Sequence, residues 1–181
     1  MYENVLYGRH VLAVSGTHGK TTTTTILTWI LEYAGLNPGF LIGGVAENFS
    51  VSARITDSNY FVIEADEYDT AFFDKRSKFI HYHPKTLIIN NIEFDHADIF
   101  ENIQAIQTQF HHLLRIIPSN GLIISNANDD NILQIINKGC WSPIEAFSAE
   151  QGQWRSTNAN VDYSRFDVVY QNIKVATVEW S

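Results

Sequence analysis

The chain has 181 residues, a formal net charge of −8 and one cysteine, Cys140. That length suits one sizeable domain that buries about 70% of its unfolded surface. The acidity speaks against a nucleic-acid partner, and a single cysteine excludes an intrachain disulfide and suits a reducing compartment. No apolar run approaches the ~20 residues of a membrane span, and the N-terminus lacks the zones of a secretory signal. The chain reads as cytoplasmic, with no membrane partner.

After a lead-in over 1–9, His10 to Ser15 reads as a buried strand that stops at Gly16. A helix is expected over 20–34, where Ile26, Ile30 and Tyr33 share one face with Leu27, Leu31 and Ala34 beside them. Gly35 is a C-terminal stop for it, with Pro38 beyond. The five threonines from Thr21 to Thr25 are mediocre helix formers. They imply that loop chemistry and capping outrank propensity there, or that they face solvent. Phe40 to Gly44 is a short apolar piece. Tyr60 to Ile63 is a second buried strand, ending at Glu64-Ala65-Asp66-Glu67-Tyr68-Asp69. Residues 72–85 read as an irregular loop carrying Phe72, Phe73, Phe79, Tyr82, His81 and His83.

Thr86 to Ile89 is a third strand, ending at Asn90-Asn91-Ile92-Glu93-Phe94-Asp95-His96. A long amphipathic helix is predicted over about 101–117, with Ile103, Ile106, Phe110, Leu113 and Ile117 inward and Gln and His residues opposite. Leu122 to Ser125 is a fourth strand. Asn128 is expected to cap a helix over 129–138, with Asp129 and Asp130 in its first turn. Val161 to Trp180 is mixed polar and β-branched and predicts small antiparallel strands around a turn at Gln171-Asn172.

Unbroken apolar strands separated by helices imply an α/β fold: a mostly parallel P-loop-type sheet with helices on both faces. A small antiparallel β extension follows at the C-terminal end, so that 1–150 form the core and 151–181 the extension. Ligands of such sheets gather outside the carboxyl ends of the strands. Three strand ends there are chemically capable: Gly16 to Thr21, Glu64 to Asp69 and Asn90 to His96.

The first is a phosphate cradle. Gly16 and Gly19 admit backbone N–H groups close to an anion, and the following helix aims its unpaired N–H groups at the same spot. Lys20 adds a full charge and Thr21 an oxygen for Mg²⁺. The general pattern G-x-x-x-x-G-K-[ST] has glycine where this chain has Val14, leaving the shorter G-T-H-G-K-T. The competing reading is a plain Gly-rich turn with a surface lysine. Mg²⁺ prefers oxygen ligands and keeps waters; Thr21 and Glu64 supply oxygens, with His96 as a third contact. His81, His83, His111 and His112 lack the spacing of familiar zinc sites.

The stretches G-T-H-G-K-T-T-T, E-A-D-E-Y-D and N-N-I-E-F-D-H-A-D, in this order, resemble the central ATPase domain of the Mur ligases, the ATP-dependent amide ligases of peptidoglycan synthesis. The resemblance covers nearly the whole chain and is most specific over 10–117. It implies that 1–181 is the middle of three domains, a fragment between one for the UDP-sugar and one for the amine substrate. It also implies ATP and Mg²⁺ as cofactors. Gly16, Thr17, His18, Gly19, Lys20, Thr21 and Thr22 would bind ATP, with Lys20 on the β and γ phosphates. Thr21 and Glu64 would serve one Mg²⁺, and His96 a second metal or its waters; Lys20, Glu64 and His96 would carry catalysis.

The implied reaction phosphorylates the lactyl carboxylate of UDP-N-acetylmuramate. The amine of a murein tripeptide then attacks the acyl phosphate, giving an amide, ADP and phosphate. Longer stretches such as F-V-I-E-A-D-E-Y-D-T-A-F-F-D-K-R-S-K-F favour the tripeptide over L-alanine as the amine. Where several family members have a carbamylated lysine in the helix after the motif histidine, this chain has Gln107, Gln109, His111 and His112. Rival readings are a Mur-type ligase adding L-alanine, folylpolyglutamate synthesis, a guanine-nucleotide switch and a small-molecule kinase. The switch would need an N-K-x-D motif, which Asn90-Asn91-Ile92-Glu93 is not; the kinase would need more arginines than the six present.

Overall fold

The computed structural model describes residues 2–71, 74–95, 99–148 and 150–180. In chain order these form β1 (His10–Ser15), α1 (Lys20–Tyr33), β2 (Gly39–Ala46), β3 (Val51–Arg54), β4 (Tyr60–Glu64), β5 (Asp69–Ala71) and β6 (Asp74–Ser77). They continue with β7 (Thr86–Ile89), α2 (Ile103–Ile116), β8 (Leu122–Asn126), α3 (Asp130–Asn137), β9 (Ile144–Phe147), β10 (Trp154–Thr157), β11 (Arg165–Tyr170) and β12 (Ile173–Glu179). A ten-stranded sheet has the order β12-β11-β10-β9-β8-β7-β1-β4-β2-β3. From β2 through β10 neighbouring strands run parallel; β3, β11 and β12 add antiparallel edges.

The parallel strands are apolar on both faces because both faces are covered. Val11 and Ala13 of β1, Phe61 and Ile63 of β4 and Leu87 and Ile89 of β7 point into the larger core. That core is closed by Ile106, Phe110 and Leu113 of α2 and Ile132 and Ile135 of α3. Leu12, Phe40, Ile42 and Val62 point the other way, against Leu27 and Leu31 of α1. Helices therefore lie on both faces, as the sequence implied.

In α1 the apolar stripe is buried only in part, through Leu27 and Leu31. The buried face carries Thr24 and Thr28, each 0% exposed. Their hydroxyls donate to the carbonyls of Lys20 and Thr24 one turn back, so the threonines enter the interior with their polar atoms satisfied. Ile26, Trp29, Ile30 and Tyr33 are exposed instead. They wall a groove of about 1020 Å³ with Val178 and Trp180.

α3 also starts differently. Its cap is Asp129 rather than Asn128, with the carboxylate accepting from the N–H groups of Asn131 and Ile132. Within the stretch read as an irregular loop, 74–77 form β6, which pairs with β5, and Lys78–Tyr82 a 3₁₀ turn. Phe72 and Phe73 lie outside the described residues. At the C-terminal end the β11–β12 hairpin turns through Gln171 (φ 47°) and Asn172 (φ 69°), the left-handed pair a two-residue hairpin needs. Asp167 in β11 is held well below the usual carboxylate range by hydrogen bonds from Asn158, Lys174 and Thr177.

At the amino end of β1, His10 Nε2 lies 2.7 Å from Thr86 Oγ1. Burial lowers the imidazole below its ordinary value, and the Lys85 charge adds to this. The fold thus favours the neutral ring. Its contribution is complete above the unfolded value near 6.5 and is lost as pH falls through the depressed folded value. Urea unfolding at a series of pH values between 7.5 and 5 should show stability declining on the acid side, and His10→Gln should flatten that slope.

Candidate functional site

The chain order of the sheet creates the site. β1 is hydrogen-bonded between β4 and β7, so the loops leaving these three adjacent parallel strands meet at their carboxyl ends, where the strand order reverses. Thr17, His18, Gly19, Lys20, Thr21, Thr22, Glu64, Asp66, Tyr68 and Asp95 line a cleft of about 490 Å³ there. The three strand ends singled out in the sequence therefore converge.

The cradle itself is built by two glycines in the left-handed region, Gly16 (φ 140°) and Gly19 (φ 78°). A Cβ on Gly16 would stand 3.1 Å from the Asn91 carbonyl oxygen. Gly19 is the cap of α1 and makes no side-chain capping bond. The helix thus opens with N–H groups aimed into the cleft. Asn91 laces the loop to the end of β7: its Oδ1 accepts from the His18 N–H (2.8 Å) and its carbonyl from the Thr17 N–H (3.0 Å). Thr17 Oγ1 accepts from the Glu93 N–H at 2.9 Å. Asn90 Nδ2 donates to Thr23 Oγ1 on α1 at 2.9 Å.

Thr21 Oγ1 donates to Glu64 Oε1 at 2.9 Å, and the N–H of Gly43 in β2 donates to Glu64 Oε2 at 2.7 Å. Glu64, at the end of β4, is thus fixed beside the first turn of α1. Lys20 Nζ is directed back into its own loop, donating to the carbonyls of Gly16 (2.7 Å) and Thr17 (3.4 Å). It also donates to Glu67 Oε2 at 3.3 Å and lies 3.8 Å from Asp66 Oδ1. His18 is exposed, its Nε2 3.9 Å from Glu93 Oε2. His96 lies outside the described residues. Behind the cleft the Tyr82 phenol is pushed up to about 12, by burial first and by the Asp66 charge second.

Several residues of the site carried no role in the sequence reading. Gly43 is one: a Cβ there would sit 3.0 Å from both Glu64 carboxylate oxygens. Asp129 and Asn131 are others. Asp129 Oδ2 accepts from the buried Ile92 N–H (2.8 Å), and Asn131 Nδ2 donates to the Ile92 carbonyl (2.7 Å). The backbone that carries Asn91 and Glu93 is thereby held from α3. The signal in the sequence is the polar run Asn126-Ala127-Asn128-Asp129-Asp130 at the end of β8, which by itself marks only a helix start. Gln107 of α2 is buried and donates to Asn131 Oδ1 and Gln134 Oε1, each at 2.9 Å. It is part of the same α2–α3 scaffold.

Thr21 Oγ1 and the Glu64 carboxylate are hard oxygen donors side by side next to a lysine. This is a set that suits Mg²⁺ sharing phosphate oxygens and waters. Among the described residues, no three His, Cys, Asp or Glu side chains converge as a metal-ligand set. Gly43→Ala should disturb the Glu64 side of the pair. The N–H stays, but the new methyl presses on both carboxylate oxygens at 3.0 Å; we expect the Mg²⁺ concentration for half-maximal activity of the full-length protein to rise about tenfold, the size of effect typical when the support of a metal ligand is disturbed, and a Mg²⁺ titration checks it.

Comparison with known proteins bears on the same residues. The chain is 56% identical over its full length to the UDP-N-acetylmuramate–L-alanyl-γ-D-glutamyl-meso-2,6-diaminoheptandioate ligase of Haemophilus influenzae, covering 40% of that protein. It is 57% identical to the Escherichia coli ligase of the same name, covering 39% of it. The chain thus spans about two fifths of the length of these relatives. Against the UDP-N-acetylmuramate–L-alanine ligase of Acetivibrio thermocellus identity is 31% over 93% of the chain, or 35% of that protein. The crystal structure of the UDP-N-acetylmuramate:L-alanyl-γ-D-glutamyl-meso-diaminopimelate ligase from Neisseria meningitidis superposes with a TM-score of 0.91 at 56% identity, over 98% of this chain and 57% of that one. The murein peptide ligase of Psychrobacter arcticus gives 0.84 at 47% identity, over 99% and 41%. The family model described as the Mur ligase middle domain matches residues 14–181, from the end of β1 through the cradle and all three converging strand ends, and the chain belongs to that family.

Proposed function

We propose that this chain is the ATP-binding middle domain of a ligase that joins UDP-N-acetylmuramate to L-alanyl-γ-D-glutamyl-meso-diaminopimelate in peptidoglycan recycling. The observation that carries the reading is the identity of 56% and 57% to two tripeptide ligases, against 31–34% to the L-alanine ligases. It runs over the segments that build the cleft. The flanking parts of the full-length protein would hold the sugar nucleotide and the incoming amine. With ATP and a nucleotide sugar as substrates, the enzyme belongs in the cytoplasm. No helix among the described residues is long and apolar enough to cross a membrane.

In this reading the N–H groups of the Gly16–Thr22 loop and the start of α1 bind the phosphates. Lys20 places its ammonium where negative charge accumulates as the γ-phosphoryl group leaves ADP for the lactyl carboxylate. Thr21 and Glu64 would hold one Mg²⁺, which supplies charge neutralisation on the β and γ oxygens when bound. His96, a few residues beyond Glu93, would hold a second metal or its waters. The amine then displaces phosphate from the acyl phosphate, forming the amide.

The test is ligation by the full-length protein with ATP, Mg²⁺ and UDP-N-acetylmuramate, offered tripeptide and L-alanine in competition. Tripeptide product and ADP in equal amounts are expected. Preferential L-alanine addition would replace this reading by the other Mur-type ligase. Clear preference for GTP over ATP in calorimetry would point to a nucleotide switch.

A further inference from the structure

We propose that Glu67 is a positioning residue for Lys20: its carboxylate holds the ammonium against the phosphate loop and yields it to the triphosphate. This rests on the reading of the cleft as an ATP site and adds a residue to it. Glu67 is 3% exposed and Lys20 10% exposed at the side chain, so their 3.3 Å contact is shielded from water. An ammonium has three N–H donors. Here they face three acceptors, the Gly16 and Thr17 carbonyls and Glu67 Oε2. The two carbonyls belong to the loop and move with it. Glu67 is the nearer and more deeply buried of two charged partners, Asp66 Oδ1 standing at 3.8 Å, and it comes from the segment after β4.

That segment is anchored independently of Lys20. Buried Ser77 Oγ donates to the Glu67 carbonyl at 2.7 Å, and the Lys78 N–H to the Tyr68 carbonyl at 2.9 Å. The carboxylate is therefore a fixed point against which a long, rotamer-rich side chain is set. A bound triphosphate offers Lys20 oxygens of higher charge, so one N–H is exchanged from carboxylate to phosphate while the loop carbonyls keep the others. Two consequences follow. Removing the charge of Glu67 removes a competitor for Lys20 and does not weaken ground-state ATP binding. It also frees the ammonium to wander, which costs rate where alignment with the transferring group matters.

The experiment compares wild type, Glu67→Gln and Glu67→Asp in the full-length protein. ADP release is measured with saturating acceptors, ATP affinity by calorimetry without acceptors, and folding by thermal melting. For Glu67→Gln we expect kcat to fall tenfold or more with KM for ATP unchanged or lower, and an ATP Kd no weaker than wild type. Glu67→Asp keeps the charge but withdraws it by a methylene; it should lose at least threefold in kcat at unchanged KM. It decides the matter if the glutamine variant melts too low to assay. Unchanged kcat in a folded variant, or a rise in KM for ATP at constant kcat, overturns the proposal. Absence of ligation by wild type, with ATP still bound, would instead count against the ligase reading; the affinity comparison between Glu67→Gln and wild type then tests Glu67 alone, and weaker binding by the variant would overturn its role.

Discussion

Lys20→Ala in the full-length protein should lower kcat by about 10²–10³, the usual cost of deleting one positioned charge at a transition state. Lys20 lines the cleft formed by Thr17–Thr22, Glu64 and Asp66, and no other lysine or arginine among the described residues lines it. Steady-state ADP release checks this, and near-normal turnover would remove Lys20 from the mechanism. The substitution also strips a cation from the buried Glu67 carboxylate, 3.3 Å away. Removing one member of a buried pair destabilises more than removing both. The melting temperature should therefore drop in Lys20→Ala and recover in part in the double variant Lys20→Ala/Glu67→Gln. Activity should not recover, which separates the two roles of the same ammonium.

The second large effect concerns Asp129. Its carboxylate caps α3 through the Asn131 and Ile132 N–H groups and accepts the N–H of Ile92, a residue with 0% exposure. Asp129→Ala loses a cap, worth about 1 kcal/mol, and leaves a buried donor unpaired, at about 1–3 kcal/mol. A total of about 2–4 kcal/mol lowers the melting temperature by roughly 5–12 °C for a chain of this size. Asp129→Asn keeps a capping oxygen but turns an N–H donor toward the Ile92 N–H, so it spares the cap and should still lose at least half as much. Because Ile92 sits between Asn91, which laces the cradle, and Glu93, ATP affinity should fall in the alanine variant as well. Calorimetry below the melting transition reads that effect.

These two residues mark how far the sequence was legible. Lys20 was visible because strand, glycine, lysine, hydroxyl and helix follow one another along the chain, and their chemistry is local. The converging strand ends were visible because a parallel sheet gathers its loops on one edge. Glu64, at a strand end the sequence marks as polar, lies 2.9 Å from Thr21. Asp129 was seen only as a helix-start acid, because its partner Ile92 lies 37 residues earlier and is reached only once β7 and β8 pair. Gly43 was hidden for the same reason: its use is a close approach to Glu64 from a neighbouring strand. The burial of Thr24 and Thr28 in α1 has another cause. Periodicity reports apolar residues but not which side of a helix meets the sheet, and threonines that return their hydroxyls to the backbone can be buried as if apolar.

The stitching of the Gly16–Lys20 turn to Asn91 and Glu93 by backbone and side-chain bonds has a consequence for recognition. A cradle already frozen before its guest arrives surrenders little chain entropy on capture. Nucleotide binding should therefore show a modest entropic penalty and an association rate governed by diffusion and charge rather than by loop rearrangement.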